Sequence, residues 1–208
     1  MNRARFLILV FFAGFLIGPN PGGLHALPLR AFDTVIIDAG HGGHDRGGLP
    51  GQYVPEKVVA LDVSIRLQRK LQGAGIRTVM TRTSDVFIPL SARVAAANSR
   101  PRSIFVSIHF NSASNFEARG VETFYYSRES QLLAYAINRR IAVIAAADRG
   151  VKFRGFYVLR NCRVPAVLVE CGFLSNRYDA RLALNASYRE RLASEIARGI
   201  IAIKKGSF

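Results

Sequence analysis

The segment VIIDAGHGGHD, residues 35–45, indicates an α/β fold. It opens with a short β-branched run that glycines end, which is typical of a strand buried on both faces. Such a strand lies inside a sheet that helices cover. A helix is predicted over residues 56–72. Stepping about 100° per residue from Glu56 places five apolar residues within about 60° of it: Val59, Ala60, Val63, Leu67 and Leu71. We therefore expect Glu56 to extend the buried stripe into the first helical turn.

Strand-like and helix-like stretches alternate along the remaining chain. Further strands are predicted at Arg77–Thr81, Ile104–His109, Val121–Tyr126, Phe156–Leu159 and Ala166–Glu170. Further helices are predicted at Leu90–Asn98, Ser130–Ala147 and Ser187–Lys204. This alternation predicts a single α/β domain, with a mixed, mostly parallel sheet of about six strands flanked by helices on both faces.

The amino-terminal residues have the pattern of a secretory signal peptide. Two arginines precede an apolar run over residues 6–17, and a turn-rich stretch follows it up to Ala26. Twelve helical residues cover about 18 Å, which is short of a hydrocarbon core of about 30 Å. We expect a signal peptide over residues 1–26, a domain over 27–208, and no stable membrane span in the mature chain. Cleavage after Ala26 or retention as an anchor both remain open.

The chain is strongly basic, with 29 Lys and Arg against 14 Asp and Glu and a net charge of +15. Such an excess predicts attraction to an anionic partner. Its arginines are scattered rather than gathered in one tract, and no nucleic-acid-binding motif is found. Together with export, this argues against nucleic acid as the partner. Cys162 and Cys171 could pair in an oxidising compartment or stay free, and the sequence does not decide between these.

Three ionisable residues lie at the carboxyl ends of predicted strands: His41, His109 and Glu170. In open α/β sheets, ligands gather in the crevice at these ends. A glutamate directly after four apolar residues is costly unless it is paired or coordinated. Glu56 completes a set of two histidines and two glutamates. Two His and one Glu form a catalytic zinc shell with one position left for water, and the second carboxylate is then free to act as a base.

Other interpretations of these residues stay open at this point. His44 competes with His41, and a histidine after a strand is often a structural residue. The glycine-rich turn could cradle a phosphate, although it lacks the spacing and the lysine of a P-loop. The residues alone therefore predict a metal site without identifying a substrate.

The order of the motifs resembles that of the zinc-dependent N-acetylmuramoyl-L-alanine amidases, the third amidase family of cell-wall hydrolases. The resemblance spans residues 33–205. It rests on VIIDAGHGGHD (35–45), EK (56–57), TRTSD (81–85), SIHFNSA (107–113), GVETFYY (120–126) and PAVLVECGFLSN (165–176). Each motif is weak alone, but their shared order over nearly all of the mature chain is specific.

This resemblance implies that His41, Glu56 and His109 bind Zn²⁺ and that Glu170 is the catalytic carboxylate. It favours His41 over His44. The implied reaction is hydrolysis of the amide between N-acetylmuramic acid and the L-Ala of the peptidoglycan stem peptide. It assigns no substrate-binding residue.

The resemblance also sets expectations about partners and location. We expect a periplasmic or secreted, wall-associated monomer whose substrate is peptidoglycan. Some relatives carry an inserted helix that covers the zinc until a partner removes it. The segment between Tyr126 and Phe156 has room for one helix, so we expect an open site and no dedicated activator. The alternative is a catalytically silent peptidoglycan-binding or regulatory protein of the same fold, which a missing ligand or a missing Glu170 would favour.

Overall fold

Six strands form one mixed sheet in the computed structural model, which describes residues 29–49 and 52–208. They are β1 (Thr34–Ala39), β2 (Arg77–Met80), β3 (Ser103–Asn111), β4 (Val121–Tyr125), β5 (Asp148–Phe153) and β6 (Ala166–Phe173). Their order is β2-β1-β3-β6-β4-β5. The first four of these run parallel, β4 is antiparallel to β6, and β5 is parallel to β4. The predicted six-stranded, mostly parallel sheet is confirmed.

Helices cover both faces of this sheet. They are α1 (Glu56–Gly73), α2 (Leu90–Asn98), α3 (Arg128–Ala142), α4 (Tyr157–Asn161), α5 (Arg177–Leu184) and α6 (Ala186–Lys205), after a short 3-10 turn at Leu29–Ala31. Helices α1, α3 and α6 enclose one core with Val35, Ile37 and Ile108. Helices α2 and α4 enclose the other with Ile36 and Phe105. Neighbouring residues of β1 thus belong to opposite cores, which is why Val35, Ile36 and Ile37 are apolar in succession.

The predicted helix over 56–72 is confirmed as α1. Glu56 and the apolar stripe that it continues are all buried, whereas Val58 is 53% exposed. Tyr188 and Ile200 of α6 belong to the same core as this stripe. The helix therefore begins with Glu56 at the carboxyl ends of β1 and β3, and the rest of its buried stripe packs in the core.

The strand predicted at Phe156–Leu159 is wrong, because these residues lead into helix α4. Val158 and Leu159 are both buried and Tyr157 is 43% exposed, so the burial does not alternate as a strand requires. The strand of this region is instead β5. It lies at the sheet edge, and its half-exposed, charged residues gave no alternating apolar pattern.

Two other helix predictions needed correction. The helix predicted at Ser130–Ala147 is α3, which begins at Arg128, where the preceding Ser127 side chain accepts from the Ser130 N–H. It ends at Ala142, and the following Val143 is 81% exposed, so the core no longer supports the helix there. Helix α5 was not predicted. It begins where the Asn176 side chain accepts two backbone N–H groups.

The predicted signal peptide over residues 1–26 lies outside the described residues. Within the described part, no helix has the length and apolar character needed to cross a bilayer. Cys162 and Cys171 are both free thiols.

Candidate metal centre

Two histidines and a glutamate converge at the carboxyl ends of β1 and β3. Ligand atoms of His41, Glu56 and His109 all lie within 4.8 Å of one another. His41 Nε2 is 3.1 Å from Glu56 Oε2, and His109 Nδ1 is 2.9 Å from Glu56 Oε1. The two imidazole centroids are 4.9 Å apart. The structure therefore brings together all three residues expected to bind metal, although they lie on separate elements.

Asp45 orients the His41 ring, and the sequence analysis did not single it out. Its Oδ2 lies 2.8 Å from His41 Nδ1, and its Oδ1 accepts the Gly47 N–H at 3.1 Å. A proton on Nδ1 that is donated to Asp45 fixes the ring, and Nε2, which donates to Glu56 when no metal is bound, becomes a metal ligand once it releases its own proton. The rival His44 is exposed and packs against the Phe87 ring at 4.2 Å, outside this cluster.

Two buried arginines hold the backbone beneath His41. Arg93 donates to the carbonyl oxygens of Ala39 and His41 at 2.7 and 2.8 Å, and Arg82 donates to those of Ala39 and Gly40 at 3.0 and 2.7 Å. Both side chains are about 3% exposed. His41 has a φ of +58°, a conformation that a non-glycine residue adopts at a cost. The arginines stabilise this turn and so fix the place of the His41 side chain.

Arg93 is itself anchored by a buried ion pair with Asp38, at 2.7 Å. The Asp38 carboxylate also accepts the hydroxyls of Thr81 and Ser107, each at 2.7 Å. These partners come from β1, β3, α2 and the residue after β2. The network thus ties the turn to the framework of the sheet.

Glu56 is the first residue of α1 and is 3% exposed. The Phe110 N–H donates to its Oε1 at 3.0 Å. Burial alone would raise the pKa of Glu56, but the hydrogen bonds with His109 and His41 outweigh it and lower the pKa to about 2. The carboxylate is therefore held in its ionised form, which is the form that binds metal.

Two glycines allow the backbone to approach this cluster closely. A Cβ on Gly40 would lie 2.5 Å from Cε1 of His109. A Cβ on Gly47, whose φ is +70°, would lie 2.5 Å from Glu56 Oε2. The glycine-rich turn thus makes room for the side chains of His109 and Glu56.

Glu170 lies on β6, directly beside His109 in the parallel register. It is 9% exposed, and its Oε2 is buried without a hydrogen-bond partner among the described residues. Burial raises the pKa of Glu170, and the negative charges of Glu56 and Glu122 raise it further. A buried polar atom without a partner is costly, so this side chain is not explained by stability.

Glu122 is a second buried carboxylate beside Glu170, and the sequence did not single it out. It pairs with Glu170 across the antiparallel β4–β6 register and is 3% exposed. Asn111 donates to its Oε1 at 2.7 Å, while Arg149 and Lys152 donate to its Oε2. Its position after a glycine and a valine gave no signal, because the cationic partners lie 27 and 30 residues further along.

The cavity beside the cluster has a volume of about 560 Å³. Its lining residues are His41, His44, Asp45, Arg46, Gly47, Gly48, Leu49, Gln52 and Pro55. A larger cavity of about 870 Å³ lies at the opposite ends of the strands, lined in part by Thr34, Arg77 and Arg102. In the part of the chain that is described, the one cluster of metal-binding residue types lies at the smaller cavity. The larger cavity is therefore at the end of the sheet that lacks this cluster.

This donor set fits a zinc ion. Two imidazole nitrogens and one carboxylate oxygen form a known catalytic zinc shell with an open position. The partnerless Oε2 of Glu170 beside His109 supports this fit, since a ligand at that position would give it a partner. Fold and cluster together define an α/β protein with a candidate metal site of the hydrolytic type.

The chain belongs to the N-acetylmuramoyl-L-alanine amidase family, Amidase_3, whose pattern matches residues 35–202. It is 36% identical over 175 residues to the N-acetylmuramoyl-L-alanine amidase LytC of Bacillus subtilis (strain 168). That match covers 82% of this chain and 35% of LytC, so the chain spans about a third of that relative. It is also 29% identical to the germination-specific N-acetylmuramoyl-L-alanine amidase of the same organism, covering 94% of this chain and 90% of the relative.

A solved structure shares the fold. The N-acetylmuramoyl-L-alanine amidase from Clostridium difficile 630 superposes with a TM-score of 0.79 at 34% identity, covering 86% of this chain and all of that chain. The family resemblance expected from the sequence is confirmed.

Proposed function

We propose that this chain is an exported, zinc-dependent N-acetylmuramoyl-L-alanine amidase. It hydrolyses the amide that joins the lactyl group of N-acetylmuramic acid to the first L-Ala of the stem peptide. The observation that carries this proposal is the His41-Glu56-His109 cluster with Glu170 beside it, in a chain that belongs to the amidase family.

His41, Glu56 and His109 would hold the zinc ion. When bound, zinc acts as a Lewis acid that polarises the scissile carbonyl and lowers the pKa of a water molecule. The chain supports this with an ionised Glu56 and with Asp45, which fixes the His41 ring. The buried arginines beneath His41 keep the ligand in place without a rearrangement of the backbone.

Glu170 is the proposed general base and then the general acid. It takes a proton from the attacking water and delivers that proton to the leaving nitrogen of L-Ala. A carboxyl group whose pKa is raised by burial suits this role, because its proton affinity lies closer to that of the groups with which it exchanges protons.

The expectations about export and assembly remain proposals: a signal peptide over 1–26, a periplasmic or secreted wall-associated location, a monomer, and no dedicated activator. Helix α3, in the segment between Tyr126 and Phe156, packs on α6 and β4. Its buried residues belong to the core on one face of the sheet. Phe124 lies on the other face, and Glu122 and Glu170 lie on that same face as Phe124. This placement supports an open site.

The test compares Glu170→Gln with Glu129→Gln, a matched change of an exposed glutamate on α3. Purified wild-type protein is loaded with zinc and given insoluble peptidoglycan, and the release of soluble peptide is followed. Glu170→Gln should bind zinc in a 1:1 ratio and lose at least about a hundredfold in turnover, while Glu129→Gln keeps both. Retained turnover in Glu170→Gln contradicts the role of Glu170. Zinc binding with no peptide release by the wild type favours the silent wall-binding alternative.

A further inference from the structure

Two cations of the edge strand β5 converge on one buried carboxylate beside the metal cluster. Arg149 Nε donates to Glu122 Oε2 at 3.1 Å, and Lys152 Nζ donates to the same oxygen. Glu122 is 3% exposed, whereas both cationic side chains are 36% exposed. The group has one negative and two positive charges, so it presents a net positive charge to solvent.

A β-bulge brings the two cations to the same face. Val121 pairs with Asp148 and Thr123 pairs with Val151, so β5 has one extra residue in this interval. Residues three apart in a regular strand point to opposite faces. The extra residue, with Gly150 at a φ of +77°, lets Arg149 reach the carboxylate that Lys152 contacts. Bulges of this kind are frequent beside active sites, where they redirect a side chain.

The Arg149 guanidinium is held in place but keeps donors available. Its carbon lies 4.8 Å from the centre of the buried Phe173 ring, three residues after Glu170. Only its Nε takes part in a hydrogen bond among the described residues, which leaves both terminal nitrogens for another acceptor. A planar guanidinium with two such nitrogens matches a carboxylate in a bidentate arrangement.

The position of this group relative to the metal cluster limits what it can bind. His109 on β3, Glu170 on β6 and Glu122 on β4 lie side by side across the sheet. With about 4.8 Å between strands, Glu122 lies about 10 Å from the strand of His109. An extended peptide advances about 3.5 Å per residue. Two residues cover about 7 Å. A hydrogen bond of about 3 Å from a carboxylate on the second residue covers the remaining distance to Arg149 and Lys152, whose charged groups lie at Glu122.

We propose that Arg149 and Lys152 bind the free carboxylate of the acidic second residue of the stem peptide. The proposal rests on the proposed function, because it takes the scissile amide to lie at the metal cluster. Glu122 is the positioning residue that holds the two cations, and Asn111 fixes Glu122 from the other side. The site selects stems that carry glutamate at this place over stems in which the carboxylate is amidated.

The test uses two soluble muramyl tripeptides that differ only at the second residue, one with D-glutamate and one with D-isoglutamine. In both, the third residue is joined to the γ-carboxyl group, so only the glutamate substrate has a free carboxylate on its second residue. The variants are Arg149→Gln and Lys152→Met. The control is Lys70→Met. Arg66 and Lys70 on α1 both donate to Glu190 on α6, so this group also has an arginine and a lysine on one glutamate. Lys70 is 14 residues from Glu56 along α1, about 21 Å away.

Arg149→Gln and Lys152→Met should each raise KM for the glutamate substrate about tenfold or more and leave kcat within about twofold, since a lost hydrogen bond to a charged group has this effect. KM for the isoglutamine substrate should change less than about threefold. Lys70→Met should change neither. Thermal unfolding of each variant checks that the fold is kept. An equal rise of KM on both substrates, or no rise, overturns the proposal.

A direct binding measurement separates this proposal from the proposed function. The dipeptides L-Ala-D-Glu and L-Ala-D-isoGln, each with its γ-carboxyl group blocked as a methylamide, are titrated into wild-type protein. Preference for the acidic dipeptide that Arg149→Gln abolishes supports the site even if neither muramyl peptide is cleaved, a result that would contradict the proposed function alone. Equal affinity for the two dipeptides overturns the site.

Discussion

Replacing Arg93 by methionine removes a buried guanidinium and leaves a side chain of similar length. Arg93 contacts Asp38 at 2.7 Å and three carbonyl oxygens, those of Ala39, His41 and Ile88. Without it, the Asp38 carboxylate stays buried at 1% exposure with two hydroxyl donors left. Breaking a buried ion pair by removing one partner costs about 3–5 kcal/mol. The two remaining donors place the expected loss near the lower end, about 3 kcal/mol.

Urea unfolding of metal-free protein measures this loss. With a slope of about 3 kcal/mol/M, the midpoint should fall by about 1 M. Arg69→Met on the exposed side of α1 is the matched control and should stay within about 0.5 kcal/mol of wild type. The double variant Arg93→Met/Asp38→Asn should lose less than the sum of the single changes, because the asparagine removes the uncompensated charge.

Two results would refute this reasoning about Arg93. One is a midpoint shift no larger than that of Arg69→Met, which would mean that water replaces the guanidinium without cost. The other is strict additivity in the double variant, which would mean that Arg93 and Asp38 do not interact energetically.

Three further predictions concern packing, acid stability and metal binding. Gly199→Ala should lower the free energy of unfolding by about 1–3 kcal/mol, measured by urea unfolding, because the new Cβ would lie 2.7 Å from the Ala136 carbonyl oxygen. Gly73→Ala is the control and should not lower it, because the space around its Cβ is open. Hydrogen bonding, chiefly from Arg102, lowers the pKa of Asp33 to about 2, so its contribution is present above pH 4 and lost as the pH falls towards 2. Asp33→Asn should therefore show a smaller fall in the urea midpoint between pH 5 and pH 3, and an unchanged fall would contradict this. Zinc at a hundred times its Kd should stabilise the wild type by about 2.7 kcal/mol in thermal unfolding, and an equal gain in Glu56→Gln would argue against this ligand.

Local patterns in the sequence were enough to predict most of the candidate site. The apolar runs that end at His41, His109 and Glu170 placed these residues at one sheet edge, and the helical stripe placed Glu56 there too. The pattern of apolar residues predicts these positions because each residue is placed by the single strand or helix that it ends or begins.

The supporting residues could not be predicted, because their partners are distant in the sequence. Arg93 lies 55 residues from Asp38, and Lys152 lies 30 residues from Glu122. No local pattern marks such a pair, and only the strand order brings the partners together. The same holds for β5, whose place at the sheet edge leaves its side chains half exposed and removes the alternation that would reveal a strand.

The bond that is cleaved tests the central claim most directly. Residues 27–208, loaded with zinc, are incubated with purified peptidoglycan, and the new ends are identified by mass spectrometry. If the chain is an amidase, the products are intact stem peptides with a free amino group on L-Ala, together with glycan strands whose lactyl groups end in a carboxylate. New reducing sugar ends, or stem peptides shortened at an internal bond, would contradict it.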